Sequence, residues 1–339
     1  MKRSYNRNGG IEMKEVKVGL LGLGNIGTGS YKTLEMNREK ITAVAGADIR
    51  IVKILEKEEK FDIERDIDVT REQFTSDPQE IFNDPEIDIV IELLGGIEPA
   101  STFMLEAMNH GKSVVTANKA AVAASWRALN DAAKRNNVMF RFEAAVGGGI
   151  PILNALTTVL QSNQYEEILG ILNGTTNYIL TQMTEYGLDY DEVLKIAQEK
   201  GFAEADPTAD VEGIDVANKL SILMALAFDK YVAPTDIPTE GITKITKKQL
   251  DVAKANGCKV KLIASAKKVG DKIEYHVGPE ELPVSHPLAG VSDEFNAVFV
   301  KGNAVDDLMF YGKGAGPLPT GSAVIGDVLE IAKCIAASK

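Results

Sequence analysis

Over the first half of the chain, short apolar runs alternate with segments of helical period. Val16–Leu21, Ile49–Leu55 and Ile87–Leu93 are β-branched and nearly unbroken in apolar character, as strands buried on both faces are. Ser113–Thr116 and Met139–Ala144 read as two further short strands. Between them the spacing predicts helices at 26–37, 99–109 and 120–136. Strand and helix in strict alternation imply right-handed βαβ units, and so a doubly wound parallel sheet. Past Pro151 the rhythm changes. Helices are expected at 151–160, 178–186, 190–200 and 211–227, with a strand at 165–172. Shorter strands at 260–268, 272–279 and 297–301 follow, joined by Gly, Asp and Pro turns, then a last helix at 320–336. The fold class is therefore α/β: a doubly wound parallel sheet plus a second, mixed α/β domain.

Composition narrows this little. A chain of 339 residues suits two cores, and 45% hydrophobic with 25% charged residues is ordinary for a globular protein. The net charge of −12, with both signs interspersed, carries no basic stripe for nucleic acid. No apolar run approaches the ~18 residues of a membrane span. Residues 1–13 are basic without an apolar stretch, and read as a disordered extension rather than a secretory signal. The two cysteines, Cys258 and Cys334, lack ligand-like neighbours and are expected to be packed thiols in a reducing compartment. The three histidines are scattered and form no metal-binding pattern.

The chemistry begins at Gly22-Leu23-Gly24-Asn25-Ile26-Gly27, a G-x-G-x-x-G turn between the first strand and its helix. Its glycines permit a tight turn, approach of backbone to a pyrophosphate and close helix–strand packing, and the helix start offers free N–H groups to phosphate. Residues 14–150 are thus expected to form a dinucleotide-binding domain. Residues from 151 on would form the second, mixed α/β domain. At the end of the second strand Glu56 favours NAD and Lys57 favours NADP, and a solvated charged turn explains both equally well. Lys119 ends a strand at the ligand edge of the sheet, where a surface charge is the plain alternative.

Asn173-Gly-Thr175-Thr-Asn177 lies between a strand and a helix and can cap it or line a site. In Gly201–Leu220, Asp210 is placed to cap a helix that carries Asp215 and Lys219 one turn apart. An i,i+4 surface ion pair would suffice, yet the run that follows is almost wholly apolar and implies burial. A buried lysine beside carboxylates can act as a general acid or base. Glu143–Pro151 holds three successive glycines, either a hinge or a set of carbonyls turned toward a cation.

In order and spacing, GLGNIG, ELLGGIEPA from Glu92, VVTANKA, EAAVGGGIP, ILNGTTNYIL, GFAEADPTADVEGIDVANKL, HPLA and YGKGAGPLPTGSAV resemble homoserine dehydrogenase over nearly all the chain after Met13. The resemblance implies NAD- or NADP-dependent interconversion of L-homoserine and L-aspartate 4-semialdehyde in threonine and methionine synthesis. It implies Lys219 as proton donor, Lys119 as its competitor, and Asp215 beside them. Glu204 and Asp215, with Asp210 and Thr175, would bind substrate. Gly22 to Gly27, Lys119, Gly201 and Gly316 would bind the cofactor. A monovalent cation, Na+ or K+, would sit on the backbone carbonyls of Glu143, Val146, Gly148 and Ile150. A cytoplasmic homodimer is implied, with 151–312 as a catalytic and dimerisation domain and 313–339 as a helix returning to the nucleotide-binding domain. Two features depart from the pattern: Phe202 stands where some relatives carry Tyr, and the chain stops before the C-terminal ACT domain of many relatives, so feedback through such a domain is not expected. The competing readings are another Rossmann dehydrogenase and a catalytically silent nucleotide sensor.

Overall fold

The computed structural model describes residues 14–338, and the extension expected at 1–13 lies outside them. The first sheet contains β1 (Lys14–Leu21), β2 (Ala47–Leu55), β3 (Phe74–Thr75), β4 (Ile87–Glu92), β5 (Ser113–Thr116) and β6 (Phe140–Arg141). All pairs are parallel, in the order β3-β2-β1-β4-β5-β6, so the strand order reverses between β1 and β4. A doubly wound sheet binds ligands at the carboxyl ends of its strands, at that reversal. The second sheet contains β7 (Tyr165–Ile171), β8 (Cys258–Val269), β9 (Lys272–Pro283), β10 (Phe295–Gly302) and β11 (Asp306–Lys313). It is antiparallel, in the order β11-β10-β7-β8-β9. One apolar cluster runs from Leu21 and Val114 through Val122 to Leu223 and Val298, so the two sheets share a core.

Several elements differ from the expectations, each for a local reason. β6 stops at Arg141 because Glu143–Ala145 forms a 3-10 turn, with the Glu143 N–H donating to Asp327. The helix expected at 120–136 is two, Lys119–Ala124 and Trp126–Asn136, parted at Ser125, whose hydroxyl bonds Ser101. That expected at 151–160 is a short α-turn, Ile152–Asn154, running into a π-turn, Ala155–Val159. The helix expected at 211–227 is divided by Gly213, at φ 80°, into Thr208–Val211 and Ile214–Ala227. Periodicity alone did not disclose β3, β11 or the helices Arg38–Ala45 and Lys247–Ala255. Cys334 is exposed on the last helix rather than packed, while Cys258 is partly buried, and both are free thiols.

The last helix, Pro317–Ala337, crosses the helix Asn25–Met36 at close range. A Cβ on Gly29 would overlap the Pro317 carbonyl, and one on Gly321 would approach the Gly29 backbone, so only hydrogen lets the two backbones meet. This crossing places Gly316 and the Gly314–Pro317 turn beside the glycine-rich turn. Among the described residues, no helix is long and apolar enough to cross a membrane.

Candidate active site

A cleft of about 820 Å³ opens between the carboxyl ends of the first sheet and the helices that cover the second. Its floor is built around Asp215, in the first turn of the helix Ile214–Ala227. That helix is buried because nearly every residue after Lys219 is apolar, and it packs against the helix Lys119–Ala124 of the first half. The packing brings Lys119 and Lys219, far apart in sequence, to the same carboxylate. Lys219 Nζ lies 2.7 Å from Asp215 Oδ2, and Lys119 Nζ lies 3.0 Å from Oδ1. Asn173 Nδ2 donates to Asp215 Oδ2 at 2.9 Å and to Asp210 Oδ1 at 2.7 Å. Its own carbonyl oxygen accepts from Thr176 N, capping the helix Gly174–Tyr186.

Asp210 therefore does not cap the following helix, as the sequence suggested. Gly213, in the left-handed conformation, takes the position before that helix and leaves Asp210 to face Asn173. The i,i+4 spacing of Asp215 and Lys219 nonetheless holds.

The two lysines differ in setting. Lys219 is buried, donates also to Leu172 O at 2.6 Å, and exposes only 10% of its side chain. Burial pushes its ammonium below the ordinary lysine value; Asp215 opposes the shift and the nearby Lys119 adds to it. Lys119 exposes 42% of its side chain, and Asp215 raises its proton affinity against partial burial, with Asp210 and Glu204 adding to the field. Burial alone would raise the Asp215 carboxyl, but the two ammonium groups and Asn173 hold it far below the usual carboxylate range. Burial and the neighbouring Asp215 raise Asp210.

Of the other expected residues, Glu204, Gly201 and Thr175 line the same cleft. The Thr175 hydroxyl donates to Phe202 O at 2.6 Å and so holds the 201–204 segment. Phe202 packs its ring 5.0 Å from Tyr178, whose hydroxyl accepts from Lys200. Gly316, at φ 117°, lines the cleft where the last helix begins.

On the cofactor side, Gly22 adopts φ 95° and a Cβ there would press on Leu93 O at 3.0 Å, while one on Gly27 would overlap the Gly22 carbonyl. The turn is thus a cradle that glycine keeps open, with the helix starting at Asn25 aimed into it, and it fits a dinucleotide pyrophosphate. Glu56 closes the far end. Its side chain is only 8% exposed, and Oε2 accepts from Leu23 N at 3.3 Å. Lys57 is exposed. Arg65, which sequence reasoning missed, donates to Leu23 O at 3.2 Å. It is recruited by an irregular loop that carries no periodic signal. Asn173 stood in a noted motif, but its contact with two carboxylates depends on the fold.

In the 143–150 segment, Gly147 and Gly148 take φ 75° and 55°, turning successive peptides. Glu143 O accepts from Val146 N at 3.4 Å, and Ile150 O accepts from Ile152 N at 2.8 Å. A carbonyl has two lone pairs, so each retains capacity for a cation.

A glycine cradle at the reversal of a parallel sheet, facing a buried Lys–Asp pair across one cleft, defines a nicotinamide-dependent oxidoreductase. Family models agree with both halves: residues 22–143 match "Homoserine dehydrogenase, NAD binding domain" and 151–329 match "Homoserine dehydrogenase". The homoserine dehydrogenase of Bacillus subtilis is 43% identical over 321 residues, 95% of this chain and 74% of that one. The crystal structure of a homoserine dehydrogenase from Thiobacillus denitrificans superposes with TM-score 0.91 at 43% identity, covering 96% of this chain and 75% of that one. A hyperthermophilic archaeal homoserine dehydrogenase in complex with NADPH gives 0.76 at 25% identity, covering 94% and 97%. The chain belongs to the homoserine dehydrogenase family, NAD(P)-dependent oxidoreductases acting on a CH–OH group.

Proposed function

We propose that in the interconversion of L-aspartate 4-semialdehyde and L-homoserine by this chain, Lys219 is the proton-transfer group and Asp215 the carboxylate that sets it. The observation carrying this reading is the buried Lys219–Asp215 pair at 2.7 Å on the floor of the cleft. An ammonium has three donors, and Lys219 spends two on Asp215 and Leu172 O, which leaves one for a substrate oxygen. The bound nicotinamide supplies or accepts hydride at the substrate carbon. In reduction, Lys219 gives its proton to the aldehyde oxygen, producing the hydroxyl, and recovers one from solvent. In oxidation, neutral Lys219 takes the hydroxyl proton. Lys119, whose charge Asp215 favours, remains cationic and orients polar ends of substrate and cofactor rather than exchanging protons. Glu204 and Asp215, with Asp210 and Thr175, bind the substrate's ammonium and hydroxyl ends.

Gly22 to Gly27 hold the pyrophosphate, with Gly201 and Gly316 against the nicotinamide half. The carbonyls of Glu143, Val146, Gly148 and Ile150 form a site for Na+ or K+. Glu56, rigidly held at Leu23, takes the ribose hydroxyls and disfavours a 2′-phosphate, while Arg65 and Lys57 supply the countering charge. Two copies associate through the second sheet, whose edge strand β11 exposes Met309 and Tyr311. Sedimentation at the mass of two chains is expected, and a single-chain mass would refute the dimer. The reaction is placed in the cytoplasm, in keeping with two free thiols.

Initial rates of homoserine oxidation with NAD and NADP in parallel test this reading. The wild type should turn over, and Glu56→Ser should raise the NADP-to-NAD ratio of kcat/KM about tenfold, for removal of one charge repulsion. Tetramethylammonium in place of Na+ and K+ should depress the rate. No turnover with either cofactor would reject the function. An unchanged ratio would reject Glu56 as the selector, and insensitivity to the cation would reject the carbonyl site.

A further inference from the structure

Glu92, the first residue of the ELLGGIEPA motif, has no part in the chemistry so far. It is the last residue of β4, fully buried, and among the described residues its two oxygens meet neutral donors and form no ion pair. Oε1 accepts from Leu94 N at 2.7 Å, and Oε2 accepts from the Thr116 hydroxyl at 2.7 Å. Burying a carboxylate without a cation is costly, and an amide or hydroxyl could satisfy one N–H donor at less expense. What the carboxylate holds explains its presence. Thr116 Oγ1, while donating to Glu92, accepts from Asn118 N at 2.9 Å. Asn118 Nδ2 donates to Gly96 O at 2.7 Å, and its Oδ1 accepts from Ala121 N at 3.0 Å, starting the helix whose first residue is Lys119. A single carboxylate thus ties the loop after β4 to the loop after β5, one residue short of the lysine that reaches Asp215.

We propose that Glu92 is a positioning residue: through the Thr116 hydroxyl and Asn118 it fixes where the Lys119 ammonium meets Asp215, and so tunes the Lys219–Asp215 pair. The line runs from Glu92 to Thr116 to Asn118 in hydrogen bonds of 2.7 and 2.9 Å, then along the backbone to Lys119 and across 3.0 Å to Asp215. Without Glu92 to accept its proton, the Thr116 hydroxyl is free to change rotamer, which would withdraw Oγ1 from Asn118 N and let the start of the Lys119 helix shift. Shifts of an ångström in such groups cost on the order of 100-fold in rate. The inference rests on the reading of Lys119 and Lys219 given above.

The test is a double-mutant cycle between Thr116→Val and Lys119→Ala, with Thr116→Ser as the conservative variant and Glu92→Gln as a second way to break the relay. Readouts are kcat for homoserine oxidation from pH 6 to 10 and the Kd for NADPH of the full chain. Thr116→Val is expected to lower kcat on the order of 10- to 100-fold and to displace the pH profile, while NADPH binding changes less than about 3-fold. Thr116→Ser should restore both, and Glu92→Gln should displace the profile in the same direction. Once Lys119 is alanine, Thr116→Val should cost no more than about 2-fold, because the relay has nothing left to position. The same loss in both backgrounds, or an undisplaced profile, would overturn the proposal while leaving the roles of the lysines intact. A Lys119→Ala enzyme with wild-type rate and pH profile would instead reject the reading of Lys119, and this proposal with it.

Discussion

Replacing Lys219 by Ala should lower turnover about 10²- to 10⁴-fold in both directions, the range that a positioned proton-transfer group contributes. Cofactor affinity should hold, because Lys219 sits in the second half of the cleft, across from the glycine cradle. The sign of the pH dependence follows from the local charges. Burial and Lys119 depress the proton affinity of Lys219, against the pull of Asp215. Neutral Lys219 therefore becomes available at lower pH than for a free lysine. Homoserine oxidation needs that neutral form and should rise with pH; semialdehyde reduction needs the ammonium and should fall over the same interval. Steady-state rates in the two directions, with NADPH binding followed by fluorescence, check both parts. A Lys219→Ala enzyme within a few-fold of wild type would remove Lys219 from the mechanism.

Asp215→Asn should be nearly as damaging and should also weaken the fold. The carboxylate is 6% exposed and neutralises a lysine that, among the described residues, has no other acidic partner at hydrogen-bond distance. Removing one member of a buried ion pair costs about 3–5 kcal/mol, since the other charge stays buried and uncompensated. The half-exposed Lys119 adds little, as water screens it. Because the folded-state pKa of Asp215 is depressed, its contribution is fully present above the unfolded aspartate value of about 4 and is lost only as pH falls below that toward the folded value. The stability gap between wild type and Asp215→Asn should thus be equal at pH 7 and pH 5. It should narrow in alkali, where the unpaired Lys219 gives up its proton. Urea unfolding at these pH values measures it, and a gap below about 1 kcal/mol at pH 7 would mean that the pair is not the buried, mutually dependent unit described.

The parallel sheet was legible because its strands are buried on both faces and its first turn needs glycine at fixed places, as at Gly22 and Gly27. β11 was not, since it is an edge strand whose residues are exposed or only half-buried, and its apolar run, Leu308–Tyr311, is short, unalternating and flanked by polar residues. The helix Lys247–Ala255 carries a Thr246–Gln249 capping box, so its start was present in the sequence though its weak periodicity hid it. Of the site, the pairing of Asp215 with Lys219 could be read from i,i+4 spacing and an apolar run. The arrival of Lys119 at the same carboxylate could not, because it depends on two helices from different halves packing together. The same holds for Asn173, Arg65 and Glu92, whose partners lie tens of residues away. Asp210 shows the opposite error: a good capping residue is drawn off by a distant amide when glycine can begin the helix instead.

The assignment of proton transfer to Lys219 rather than Lys119 is tested most directly by the pH dependence of single-turnover hydride transfer from homoserine, in wild type, Lys219→Ala and Lys119→Ala, at saturating cofactor. In wild type the rate should climb as Lys219 loses its proton. In Lys119→Ala the climb should persist and move to higher pH, because a neighbouring positive charge that depressed Lys219 is gone. In Lys219→Ala it should disappear, leaving a slow, flat rate. A climb that survives in Lys219→Ala and vanishes in Lys119→Ala would contradict the account and pass the role to Lys119.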